Sequence, residues 1–271
     1  MIKKYDFIFS LGAACSCSSC LRGANLQFAS YPFDWLYGSD LIGRVSLLCH
    51  GFEGWLDKEA LVHIGTREHP LPCDIYRNTK TEIVFNHDFP LGENFDKAYD
   101  EVVQKYNRRI ERLIKSINKA KKVLAVFINL PDNSNLDNKT ITDAKALLDE
   151  TFGKDKFDIL CLQYKSGLDV KNAEESIPQE GVKILAFDYG SKEENAENWE
   201  VDCRQIREWL IDNYAARDKR SIGQKISYYF KRKKNYLRDF GDNIFEQIIC
   251  NIQYKLWKHL NKKLSKRGII K

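Results

Sequence analysis

Glycine and proline are scarce in this chain, 15 and six in 271 residues, which argues against a disordered or fibrous protein. No run reaches the roughly 18 uninterrupted apolar residues of a membrane-spanning helix. The opening residues, Met1-Ile2-Lys3-Lys4-Tyr5-Asp6, lack the apolar stretch of a secretory signal. The expectation is therefore a cytoplasmic protein with reduced thiols. No internal repeat, low-complexity tract or recognised nucleic-acid-binding motif is visible, so nucleic acid is not an expected partner. No cofactor is expected either. Cys15-x-Cys17-x-x-Cys20 lacks the second ligand pair of a zinc site, and its wide spacing along a helix makes a redox dithiol the weaker reading. Cys17 and Cys20 are expected to pack in the core.

What is present points to a globular body with an appendage. Apolar residues make up 43% of the chain, enough to bury a sizeable core. Residues 217–271 hold 16 Lys and Arg against four Asp and Glu, a net +12, whereas the preceding 216 residues are net −7. We expect an α/β domain over residues 1–216 and a basic, amphipathic helical tail over 217–271. In that tail Phe245, Ile248, Ile249, Ile252, Leu256, Leu260 and Leu264 share one face. Such a tail suits an anionic membrane surface, and equally a docking face on protein, so the localisation expected is cytoplasmic with peripheral membrane attachment open.

Five segments have strand character: Tyr5–Ser10, Glu82–Asn86, Lys122–Asn129, Phe157–Tyr164 and Val182–Tyr189. Four are near-continuous apolar runs, the mark of parallel strands covered on both faces. Helical patterns fall between and after them, at Cys15–Arg22, Asp40–Cys49, Phe95–Ala120, Ile141–Thr151 and roughly Trp199–Tyr214. The fold class expected is thus α/β, a mostly parallel sheet of about five strands with helices on both faces, plus a C-terminal helical extension. Residues 51–81 are expected to form an irregular loop.

The chemistry concentrates between Phe7 and Trp35. A strand ending in Ser10-Leu11-Gly12 gives way to a helix that Cys15 opens. A helix N-terminus favours thiolate over thiol, and its open N–H groups can face a developing oxyanion. Gly12 permits a tight turn and close substrate approach. A thiol nucleophile needs a base, and His87, ending the second strand in Phe85-Asn86-His87-Asp88-Phe89, is the best candidate. In a parallel sheet it would share the carboxyl edge with Cys15. Asp88, Asp34, Asn86 and, after the last strand, Asp202 are candidates to orient the ring. Arg22, Arg108 and Arg109 could grip a carboxylate or phosphate, or simply form a solvated helix face.

Ser10-Leu11-Gly12-x-x-Cys15, with Leu21, Arg22, Leu26, Ser30 and Pro32-Phe33-Asp34-Trp35, resembles the opening motif of a family of unknown function from bacteria and plants that carries the description papain-like cysteine peptidase. Phe85-Asn86-His87-Asp88-Phe89 and the helix with Arg108-Arg109 resemble its later motifs. The likeness spans roughly residues 5–210 and excludes the basic tail. The resemblance implies Cys15 as nucleophile and His87 as its base, on a peptide or an acylated sugar. Relatives of this kind often sit among surface-polysaccharide genes. The order of elements speaks against a papain fold and for an esterase-like arrangement with sulfur in place of serine. A non-catalytic, membrane-associated binding module in glycan assembly is the competing expectation.

Overall fold

The computed structural model describes residues 2–68, 72–192, 200–218, 220–223, 225–228 and 230. Its elements in chain order are β1 (Lys3–Tyr5), β2 (Phe7–Gly12), α1 (Ala14–Gly23), β3 (Leu36–Tyr37), α2 (Leu41–Cys49), β4 (Leu61–Arg67), β5 (Cys73–Asn78), β6 (Val84–Pro90), α3 (Phe95–Lys119), β7 (Val123–Ile128), α4 (Asn138–Phe152), β8 (Phe157–Tyr164), β9 (Glu174–Gln179), β10 (Val182–Phe187), α5 (Cys203–Asn213) and β11 (Tyr214–Ala216). Residues 1–217 form one unit. The tail helix expected beyond it lies outside the described residues.

The central sheet has five strands in the order β2-β7-β8-β10-β9, parallel except for β9, which runs antiparallel to β10. Side chains alternate across it, because successive strand residues point to opposite faces. Phe9, Leu11, Ala125, Phe127, Ile159 and Cys161 enter one core with α2, α3 and α4. Ile8, Leu124, Val126, Leu160, Leu162 and Leu185 enter a second core with α1 and α5. Helices therefore cover both faces, as expected. Asp40, Asn94, Asp137 and Asp202 start α2, α3, α4 and α5 by accepting a backbone N–H of the first turn, the usual device for satisfying a helix end.

Three expectations need correction. Residues 51–81 are not an irregular loop: they contain β4 and β5, which join β6 and β3 in a separate antiparallel sheet ordered β3-β6-β5-β4. The segment expected as a second strand of the parallel sheet is β6, and it belongs to this antiparallel sheet. Its aromatic side pairs Phe85 with Trp55 and Tyr106, and Phe89 with Tyr76 and Phe95. The fifth strand of the central sheet is instead β9, an exposed, polar edge strand. Finally, the last helix begins at Cys203 rather than Trp199, which lies outside the described residues.

Candidate active site

Cys15 occupies the first turn of α1, directly past the carboxyl end of β2. This helix differs from the other four in its cap. Ala13 sits at the N-cap position with no side-chain hydrogen bond, so the first-turn N–H groups have no side-chain acceptor there. Ala14 has φ of +62°, a left-handed conformation that costs a non-glycine residue about 1 kcal/mol and that concentrates at functional turns.

The turn before Cys15 is clamped from two sides. Ser10 is fully buried; its N–H donates to Gln27 Oε1 (3.0 Å) and its Oγ accepts from the Gly12 N–H (3.0 Å). Gly12 has φ of +110°, and a Cβ there would lie 2.3 Å from Arg44 Nη1. Glycine at this position is thus required both by conformation and by the approach of Arg44. The Arg44 side chain, at 0% exposure, donates from Nη1 to Leu11 O (3.0 Å), from Nη2 to Leu36 O (3.0 Å) and Gly38 O (2.6 Å), and from Nε to Ser39 O (3.1 Å). One buried cation ties the end of β2 to the β3 segment. Sequence reasoning missed this residue; the available signal was a single charge inside the apolar helix Leu41–Cys49.

A second buried hub stands behind α1. Asp34, at 0% exposure, accepts from Arg22 Nη2 (2.5 Å), Gln27 Nε2 (2.8 Å) and the Tyr31 N–H (3.0 Å). Burial nevertheless raises its carboxyl pKa more than Arg22 and these donors lower it. Arg22 also reaches Ser30 Oγ (3.1 Å) and lies 5.5 Å from the Trp35 ring. Asp34 is engaged in this network rather than with an imidazole.

The hydrogen-bond partner of the Cys15 sulfur is Tyr37 Oη, at 4.0 Å, and not His87. Burial raises the Cys15 thiol pKa; the Tyr37 hydroxyl, the first-turn backbone and Arg67 act in the opposite sense but do not reverse it. The Cys15 backbone N–H favours the thiolate, as the sequence reading of this turn expected, but desolvation outweighs it. Tyr37 is itself pushed up by burial and by its neighbour Cys15. Cys203, at the start of α5, packs nearby, its Sγ directed to Ser16 O (3.7 Å).

His87 lies on β6, so it reaches this region from the antiparallel sheet and not from a strand beside β2. Arg67 Nη2 donates to its Nδ1 (2.7 Å), which places the proton of the neutral ring on Nε2. The ring packs edge-on to Trp35, 6.2 Å between centroids. Burial, then Arg67 and Lys105, lower its pKa against the opposing pull of Asp88, so the neutral form is favoured.

The acids expected to orient that ring have other partners. Asp88 is buried and accepts from Tyr106 Oη (2.9 Å) and Lys105 Nζ (2.5 Å). Asp202 caps α5 through the Arg204 N–H (2.9 Å). Asn86 offers its carbonyl to Cys73 Sγ (3.2 Å). Arg109 is no solvated helix residue: its guanidinium lies 5.0 Å from the Tyr106 ring, and Nη1 is buried with no acceptor among the described residues. Cys17 and Cys20 are buried as expected, directed to Val126 O (3.3 Å) and Cys203 O (3.9 Å). Among the described residues no group of three or more His, Cys, Asp or Glu is placed to hold a metal ion.

No curated protein and no solved structure matches the chain. A family match covers residues 6–167, which span β2, the Cys15 turn, the Arg44 clamp and the whole antiparallel sheet with His87. The chain belongs to the family described as putative papain-like cysteine peptidase (DUF1796).

Proposed function

We propose that the protein performs acyl chemistry with Cys15 as nucleophile, as a cysteine hydrolase of peptidase type or as an acyltransferase toward an acylated sugar. The observation that carries this reading is the placement of Cys15 in an uncapped first turn at the end of β2, with the Tyr37 hydroxyl on its sulfur. In attack the sulfur bonds to the carbonyl carbon, the thiol proton departs, and the carbonyl oxygen becomes an oxyanion that the first-turn N–H groups stabilise. Collapse expels an amine or alcohol, which takes that proton. Water or a sugar hydroxyl then cleaves the thioester and restores the thiol. The outcome, hydrolysis or transfer, depends on which acceptor enters.

Because burial holds Cys15 as a thiol, the reaction requires a base. His87 is the proposed one, with Tyr37 relaying the proton. The ring nitrogen that accepts is Nδ1, which becomes available when Arg67 withdraws. Ser10, Gly12, Arg22, Asp34, Asn86 and Arg109 shape or line the substrate side. Cys15→Ala is expected to abolish turnover while shifting the melting temperature by no more than about 2 °C, because the side chain is small and half-buried. Parallel loss of stability and activity would reduce Cys15 to a packing residue.

A second reading draws on the same sulfur. A thiol raised by burial, with tyrosine rather than histidine beside it, also suits a non-catalytic binding module. The net +12 of residues 217–271 supports peripheral association with an anionic membrane. Flotation with phosphatidylserine vesicles, with and without residues 217–271, tests that attachment; equal flotation of both forms removes it.

A further inference from the structure

Cysteines gather where α1 meets α5. Cys15, Cys17 and Cys20 lie on α1, and Cys203 opens α5. Ser16, Cys20 and Gly23 fall at i, i+4 and i+7, so they share one stripe along α1. That stripe faces α5. Cys203 Sγ points at Ser16 O (3.7 Å), Cys20 Sγ points at Cys203 O (3.9 Å), and the Cys20 thiol also donates to the Cys203 sulfur. One turn further on, Arg207 crosses Gly23, where a Cβ would lie 2.7 Å from Arg207 Cδ. Small residues on the stripe thus let the helices approach until the two sulfurs meet. Cys15 and Cys17 turn elsewhere, to Tyr37 Oη and to Val126 O. The meeting sulfurs are unlike. Cys20 is 1% exposed, whereas Cys203 is half-buried and open to small molecules. Burial, and donation to Cys203, raise the Cys20 thiol; the Cys20 S–H, helped by Arg207, lowers Cys203 against burial and Asp202. An accessible, more acidic thiol beside a buried, less acidic one is the arrangement of an oxidisable pair: the first meets the oxidant and the second resolves it.

We propose that Cys203 and Cys20 form a redox pair that hydrogen peroxide oxidises to a disulfide, stapling α5 to α1. The Cys203 thiolate attacks one peroxide oxygen. The O–O bond breaks, hydroxide leaves, and Cys203 becomes a sulfenic acid. The Cys20 sulfur then attacks the Cys203 sulfur; the S–O bond breaks, and the departing hydroxide takes the Cys20 proton and leaves as water. Two electrons pass from the sulfurs to the peroxide, and a dithiol reductant returns them by exchange. Neither step uses the Cys15 sulfur, so the pair operates whether or not Cys15 performs acyl chemistry.

The test exposes the full chain to hydrogen peroxide, blocks the remaining thiols with iodoacetamide, and maps disulfides by tandem mass spectrometry without reduction. A link between Cys20 and Cys203, reversed by dithiothreitol, is expected in the wild type and in Cys15→Ala, and is absent from Cys203→Ser. In Cys20→Ala the resolving thiol is missing, so labelling of the Cys203 sulfenic acid by dimedone should rise about fivefold over the wild type. Should that core variant fail to fold, the wild type, Cys15→Ala and Cys203→Ser, whose changes fall at half-buried positions, still decide the matter. A Cys203 that stays reduced under peroxide overturns the inference. So does a link from Cys203 to Cys15 or Cys17, or a Cys20–Cys203 link that is lost in Cys15→Ala.

Discussion

Arg44→Met tests the claim that one buried cation holds the Cys15 turn in place. The methionine fills much of the volume but returns no donor to the carbonyls of Leu11, Leu36, Gly38 and Ser39. Each orphaned carbonyl costs about 1 kcal/mol or more when water does not reach it. Four would total roughly 4 kcal/mol or more, and relief from burying a guanidinium offsets part of this. A net loss of about 3 kcal/mol corresponds to a fall in melting temperature of about 6–12 °C for a unit of this size. Urea unfolding followed by tryptophan fluorescence measures it, with the midpoint shifting and the slope unchanged. Arg44→Lys keeps the charge but not the fork, and is expected to fall between the two. Loosening the turn also exposes the sulfur, so Arg44→Met should be alkylated at Cys15 faster than the wild type. A variant within about 0.5 kcal/mol of the wild type, with unaltered alkylation, would refute the clamp.

Other outcomes follow from the buried titratable groups. Alkylation of Cys15 by iodoacetamide should still be climbing above pH 9, because burial raises its thiol above the ordinary value near 8.5; a plateau below pH 8 contradicts this. His87, lowered in the folded state, binds its proton less readily than in the unfolded chain. Stability should therefore decline as pH falls below about 6.5, and His87→Asn should flatten that slope in urea titrations at pH 7 and pH 5. Burial alone would raise the Asp158 pKa, but Lys122, Lys3 and Tyr5 together hold it below the usual carboxylate range. That stability is present above about pH 4 and lost as pH falls through the folded value. Asp158→Asn should cost about 1–2 kcal/mol at pH 7, discounted because both lysines are partly solvated, and should converge with the wild type once the pH lies below the lowered folded value.

The central strands were legible because parallel strands buried on both faces must be mostly apolar, as in Val123–Ile128 and, Asp158 and Gln163 apart, Phe157–Tyr164. Strand β9 was not, since Glu174, Glu175 and Pro178 mark a solvated edge that looks like loop in sequence. Strands β4 and β5 were hidden for a related reason: only one side of the pair packs, and the register slips between His63 and Gly65. Strand β6 was visible, but a strand carries no label for its partner, so its place in the parallel sheet was an inference that the antiparallel pairing with β3 and β5 overturned. The start of α1 was readable to within one residue from the apolar strand and Gly12, at Cys15 in the sequence and Ala14 in the structure. The effect of burial on that thiol was not, because depth is a property of what packs above the sulfur. Tyr37 and Arg67, both well removed from Cys15 in sequence, became visible only through folding.

The sulfur rides on α1 at the end of β2, while the imidazole is carried by β6 of the antiparallel sheet. Helix α1 packs with α5 on one face of the central sheet, while Tyr37 packs against the core on the other face and the His87 ring lies edge-on to Trp35. Their spacing therefore depends on how two separate sheets are held, like the gap of a calliper hinged elsewhere. A volume change deep in either layer, at Leu21 or at Phe85, would be felt at the site as a wider or narrower gap.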